Sequence, residues 1–271
     1  MTTSQELPEY ENPPVIEVVC GVLFKPLEGL LAPHSGMLWE KFKPEYPRCQ
    51  EVPPLDPVIE HFGELPTAGI RLTDVPPLPR IWFIHADDTG IIQVQRDRFL
   101  HNWRKKRADQ GYPRYHKVIE MFRDRLSRFQ SFLIEGDLGV IEPLQYEMTY
   151  VNHILIGEGW NTLSEIGKVF QDFDWQSREA RFLPEFEGMN WRTGFLLPER
   201  SGRLHVTIRR GVRRHDGHPM ILFELTARGI GSDTAPDAMW AWFDLAREWI
   251  VRAFTDLTSD DIQKQVWRRK R

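Results

Sequence analysis

Apolar and polar positions alternate with period two in several short stretches of this chain, and recur at spacings of three and four in two long ones. In NPPVIEVVCGVLF the side chains of Ile16, Val18, Cys20, Val22 and Phe24 share one face of a predicted strand, and Glu17 points the other way. In RIWFIHADDTGIIQVQRDRFLHNW, Ile81, Phe83, Ile92 and Val94 flank the turn signal Asp87-Asp88-Thr89-Gly90, which predicts a hairpin. A second hairpin is predicted where Leu204, Val206 and Ile208 alternate with His205, Thr207 and Arg209. Beyond the turn pair Asp216-Gly217, Ile221, Phe223 and Leu225 alternate with Leu222, Glu224 and Thr226. The spacing of Val118, Phe122, Leu126, Phe129 and Leu133 predicts a helix over 115–134. Trp240, Phe243, Trp249, Ile250 and Phe254 predict another over 236–256, and a shorter one is expected at about 34–43. Thr258-Ser259-Asp260-Asp261 places an acid three residues past a capping hydroxyl and opens a last helix to about Arg268. The basic end Arg268-Arg269-Lys270-Arg271 suits that helix's C-terminus, or is a solvated tail.

The order strand, helix, strand, strand, helix is read twice, in residues 13–138 and 143–258. The expectation is an α+β fold whose antiparallel sheet is built from two pseudo-repeated β-α-β-β-α halves, 1–138 and 139–271, with long helices packed on one face. One sheet of six or seven strands, or a half-barrel gripping a helix, would join the halves; the alternative is two small domains hinged near Gly136–Pro143. Fourteen of the twenty prolines precede residue 80. Proline removes a backbone donor and fixes φ, so 43–79 is read as an extended connection over the surface, with a short helical turn at 56–62.

Composition narrows the class without naming a chemistry. Hydrophobic residues make up 41% and charged residues 27%, which fits a globular chain and excludes a disordered one. The net charge of −4 gives no global attraction to nucleic acid or an anionic membrane. Ten Trp and sixteen Phe imply a large aromatic core or an adhesive interface. No apolar run approaches the roughly 20 residues that span a bilayer, and the acidic start MTTSQELPEYENPP lacks the features of a secretory signal, so the expected location is cytoplasmic, without a membrane partner. Cys20 lies in an apolar strand and is read as a buried reduced thiol.

The segment NPPVIEVVCGVLF, the block GIIQVQRDRFLHNWRK followed by YPRYHKVIEMF, the strand YEMTYVNHI and the ending AREWIVRAFTDLTSDDIQKQVW carry a resemblance over almost the whole chain. Together they resemble a sporadically distributed bacterial protein family that is catalogued by conserved blocks, with function unknown. The resemblance implies no mechanism; its patchy distribution implies a place in a multi-component, defence-associated gene cluster.

Three constellations could carry chemistry. The densest basic segment, Arg96, Arg98, Arg104, Lys105, Lys106 and Arg107, is interleaved with aromatic residues, and Arg209, Arg210, Arg213 and Arg214 occupy the corresponding hairpin. Such residues could hold a phosphate backbone and stack bases, and they equally suit a charged edge strand and its solvated loop. His215-Asp216-Gly217-His218 could touch a metal, but two imidazoles in a tight turn hold an ion loosely; a polar hairpin tip is the better reading, and no metal is expected. The polar strand positions Glu17, Glu147, Thr149, Asn152, His153, His205, Thr207, Glu224, Thr226 and Arg228 could line one concave face. Glu17, Glu147, His153, His205 and Glu224 would be its acid–base candidates, although cross-strand charge pairs have the same ingredients.

No phosphate loop, dinucleotide fingerprint, His-Glu-x-x-His or nucleophile elbow is present, so no cofactor is expected. The leading expectation is a non-catalytic interaction or regulatory protein with a protein partner or a second copy of itself. Nucleic-acid binding and a polar-cleft enzyme are the alternatives.

Overall fold

Nine strands hydrogen-bond into one antiparallel sheet in a computed structural model that describes residues 6–62, 79–107, 109–173, 175, 182–214, 216–232 and 237–270. In chain order they are β1 (Val15–Phe24), β2 (Arg48–Val52), β3 (Arg80–Ile84), β4 (Gly90–Gln95), β5 (Arg98–Arg104), β6 (Pro143–Leu155), β7 (Asn190–Leu196), β8 (Arg203–Val212) and β9 (Pro219–Gly229). Their order in space is β2-β3-β4-β5-β1-β6-β9-β8-β7. The helices are α1 (Ala32–Phe42), α2 (Tyr115–Glu135), α3 (Ala238–Leu257) and α4 (Asp260–Gln265). The α+β class and the antiparallel sheet are as the alternation predicts.

Several elements differ from the sequence reading. The sheet has nine strands, not six or seven. The first hairpin is a three-stranded meander, because Arg96 and Asp97 form a tight turn that pairs Gln95 with Arg98. Residues 48–52 add an edge strand inside the proline-rich stretch, where pairing on one side only tolerates the prolines around it. No helical turn forms over 56–62. The two halves do not match element by element. Five strands lie in the first and four in the second, and a 3₁₀ turn, Leu163–Lys168, stands where the first half has α1. The last helix stops at Gln265, and its cap is Ser259, whose hydroxyl accepts from the Ile262 amide.

The basic end is no free tail. Residues 268–270 run beside the N-terminal segment, with the Glu11 amide donating to the Arg268 carbonyl (3.1 Å) and the Lys270 amide to the Glu9 carbonyl (2.8 Å). Arg271 lies outside the described residues.

The sheet's two faces follow from the period-two alternation. Val18, Cys20, Val22, Phe24, Phe99, Met148, Val206, Phe223 and Leu225 are buried on the face that α1, α2 and α3 cover. Phe129 of α2 stacks on Phe99 at 5.0 Å, Phe243 of α3 lies 5.9 Å from Tyr146, and Phe42 of α1 lies 6.0 Å from Phe83. Phe122 and Phe243 join α2 to α3 edge to face at 5.3 Å. Each buried Phe contributes roughly 1.5–3 kcal/mol relative to exposure, so this aromatic layer sets the helices' places on the sheet. A β-bulge at Ile16 shifts the register between Val15 and Glu17, which returns Val15 to the covered face in place of Ile16.

Candidate functional site

The uncovered face gathers nearly all the predicted polar positions. Glu17, Glu147, Thr149, His153, His205, Thr207, Glu224, Thr226 and Arg228 share it by register. Asn152 does not: it pairs with Phe223 on the helix side, buried, and its amide donates to the Phe223 carbonyl (3.0 Å).

On that face the candidate acids and bases are held by neighbouring side chains. Arg228 Nε donates to Glu147 Oε2 at 2.5 Å across the directly opposed pair. Thr149 and Thr226 hydroxyls meet at 2.9 Å, and Thr226 donates to Glu224 Oε1 at 3.4 Å. Glu17 Oε1 accepts from Asn102 (2.6 Å), Asn102 accepts from Gln93 (2.6 Å), and Gln93 accepts from Arg80 (2.8 Å) and Trp82 (3.0 Å). Burial pushes the Glu17 carboxyl above its ordinary value, aided by Glu224, while Asn102, Arg104 and Lys106 pull it down. Among the described residues, none of the five candidates lines either of the two best-defined cavities.

A strap explains why this face is drier than its composition suggests. Residues 53–62 cross it from β4 to β8. Leu55 exchanges two hydrogen bonds with the Gln95 amide (2.9 and 3.0 Å), and Glu60 N and Val58 O pair with the buried Gln145 amide (2.8 and 2.7 Å). Glu60 then takes His205 Nε2 (2.5 Å) and Arg203 Nη1 (2.7 Å). Sequence reasoning missed Glu60, since no periodicity marks a residue in a proline-rich connection.

The basic candidates divide by environment. Arg98 is buried against Asp97, Arg107 lies beside Asp109, Arg210 donates to the Glu187 carbonyl, and Arg104 donates to the Asp88 carbonyl and stands opposite Glu17. Arg96 lies in the turn between β4 and β5. Lys105, Lys106, Arg209 and Arg214 are exposed. Lys105 and Arg213, far apart in sequence, both act electrostatically on Glu158 at the end of β6. Of the metal candidates, His215 lies outside the described residues, and Asp216 is engaged by Arg213 and by His218 Nδ1 (3.2 Å). Among the described residues no group of three or more His, Cys, Asp and Glu could hold a metal ion, and no helix is long and apolar enough to cross a membrane.

A well-formed concavity lies on the other side of the sheet, and of the polar strand candidates Asn152 lines it. A cavity of about 400 Å³ opens between the N-terminal segment, the start of α2 and the middle of α3. That volume lies within the few hundred to thousand Å³ typical of small-ligand sites. Its apolar wall comes from Val15, Leu225, Ile250, Val251 and Phe254. Its phenols are Tyr10, Tyr112, Tyr115 and Tyr150.

Tyr112 and Tyr150 hydroxyls meet at 2.9 Å, and Tyr115 donates to Asp244 (2.7 Å). Burial raises the Tyr150 phenol well above its ordinary value and pushes Tyr112 up to about 12, so both are neutral donors at physiological pH. Arg247 on α3 lines the cavity half-buried, its guanidinium 4.7 Å from the centre of the Tyr115 ring. It has no hydrogen bond or ion pair with any described residue. Arg114 is engaged by the Tyr10 carbonyl (2.9 Å) and stands 3.9 Å from Glu9.

A signal for Arg247 exists in the sequence. Phe243, Arg247, Ile250 and Phe254 follow the three-four spacing, so this basic residue interrupts an apolar stripe.

The molecule is thus an α+β protein with a helix-backed antiparallel sheet and an aromatic cavity beneath its helices. No protein-family model, curated protein or solved structure matches the chain.

Proposed function

We propose that this is a non-catalytic regulatory or interaction protein of a bacterial multi-component system, and that it works by binding a small organic ligand in the cavity between the N-terminal segment, α2 and α3. The observation that carries this reading is Arg247: a half-buried cation facing an aromatic cavity, with no ion pair to a carboxylate among the described residues. Burying a charge without a partner costs free energy, and a ligand can supply the partner. The polar face supports the non-catalytic part, since Glu17, Glu147, Glu224 and His205 are tied to strand neighbours and the strap.

The test is native mass spectrometry of the protein re-isolated from a host metabolite extract. One small molecule per chain is expected, lost in Val251→Trp, which fills the cavity. Turnover of an extract component by the wild type, abolished in Glu17→Gln, would overturn the reading in favour of an enzyme on the polar face.

A second reading has its own observation. By register the end of β5 at Arg104 lies beside the start of β1, which pairs with the end of β6. That end pairs with the β9 start next to the β8–β9 turn, so the basic ends of the two hairpins come to one end of the sheet. That supports a weak nucleic-acid interface there, with Arg104, Lys105, Lys106, Arg213 and Arg214 as contacts.

A further inference from the structure

Given the reading of the cavity as a binding site, its chemistry selects among small molecules. Among the described lining residues, Arg247 is a cation with no hydrogen bond or ion pair. A planar guanidinium has five donors in a fork that fits a carboxylate through two parallel hydrogen bonds. The Arg247 Cζ lies 4.7 Å from the centre of the Tyr115 ring, a cation–π contact that holds the group at the cavity wall without a hydrogen-bond partner among the described residues.

The second polar feature is the phenol pair Tyr112–Tyr150. One hydroxyl of the pair donates to the other, which leaves one proton free for an outside acceptor. Their raised values keep both protons in place at physiological pH. Donors therefore outnumber acceptors on this side of the cavity. The carboxylates on the N-terminal wall, Glu6 and Glu9, have contacts of their own, with Glu9 beside Arg114.

Between these polar features lie rings and aliphatic side chains. Phe254 and Tyr10 stand edge to face at 5.3 Å, and Tyr112 and Tyr150 cross at 75°. Aromatic edges and faces set at such angles accept a flat ring by offset or edge-on contact.

We infer that the cavity binds an aromatic carboxylate, with the ring system against Tyr150, Phe254 and Ile250 and the carboxylate on Arg247. The cavity's size limits the body to a small ring system, and one free cation among the described lining residues matches one carboxylate.

The experiment is calorimetric titration of the full chain with three probes of one shape: 2-naphthoate, 2-naphthamide and 2-naphthylmethylammonium. Naphthoate is expected to bind one to one, at least tenfold more tightly than either of the others. Arg247→Gln should remove that preference while leaving the melting temperature within a degree or two of wild type. Arg247→Lys should restore part of it, because the charge returns without the fork. Val251→Trp should abolish binding of all three.

Equal affinity for the three probes, or preference for the amide or the ammonium, would overturn the carboxylate assignment and leave the cavity a binding site. Absence of binding by all three would overturn both. Naphthoate binding that survives Arg247→Gln unchanged would place the anion elsewhere and sink the proposal.

Discussion

Cys20 and His101 stand directly opposite each other on β1 and β5, both fully buried on the helix-covered face, and neither imidazole nitrogen has a hydrogen-bond partner among the described residues. Burial holds the His101 imidazole far below its ordinary 6.5, at about 3, with Arg125 and His85 adding repulsion. The folded state keeps it neutral while the unfolded chain takes up a proton below the ordinary value. Its contribution to stability is therefore complete above that value and is lost as pH falls toward about 3. Urea denaturation should show a loss of roughly 2 kcal/mol between pH 8 and pH 5 from this residue. His101→Leu should flatten that slope; an unchanged slope would locate the acid sensitivity in other groups.

Glu17 has the opposite sign. Its carboxyl lies above the ordinary value, chiefly through burial, so the stability linked to its protonated form is present below that value and lost as pH rises through the folded one. Glu17→Gln keeps an oxygen for the Asn102 amide and removes the charge. The variant should melt roughly 2–4 °C above wild type at pH 8, the shift that about 1 kcal/mol produces in a chain of this size. The difference should vanish by pH 4. A variant that melts lower at pH 8 would mean that Arg104 needs the charge more than burial penalises it.

The strap makes a separable contribution. Gln145 is almost fully buried, and both ends of its amide are used by Val58 and Glu60. Gln145→Ala leaves two backbone groups of the strap without partners, at a cost of roughly 1–3 kcal/mol. Hydrogen exchange should then rise at Val58–Glu60 before it rises in β6. Uniform acceleration across the sheet would show that the strap is not an independent unit.

For the basic end of the sheet, the measurement is the salt dependence of oligonucleotide affinity. Each phosphate contact contributes about 0.7–0.9 to the slope of log affinity against log salt. Reversing Arg104, Lys105, Arg213 and Arg214 to Glu should lower both the affinity and that slope. Affinity unchanged by the four substitutions, or no binding at about 50 mM salt, removes the nucleic-acid reading.

How much of this was legible depends on which interactions are local. Strand faces were, because alternation is a property of neighbouring residues: Val18, Cys20 and Val22 pack where their period places them, and α2 and α3 form where their stripes run. The bulge at Ile16 was not, because it is fixed by pairing with β6 more than a hundred residues away. Asn152 was placed on the wrong side by polarity, although its parity with Met148 and Tyr150 assigned it correctly. The cavity was invisible for a stronger reason. Its walls come from residues near 10, 114, 150 and 250, and only packing brings these together. Arg247 alone left a trace, as a charge on an apolar stripe.

The position of β1 has a consequence for synthesis. It pairs with β5 on one side and β6 on the other, so it lies mid-sheet although it precedes the other eight described strands in the chain. On the ribosome, VIEVVCGVLF has no partner until Arg104 has emerged, and one open edge until Leu155 has. At roughly 5–20 residues per second, that leaves an aggregation-prone strand uncovered for several seconds in every chain made. Nascent chains stalled before residue 98 should therefore bind holdase chaperones, and chains stalled once residue 155 has cleared the exit tunnel should release them.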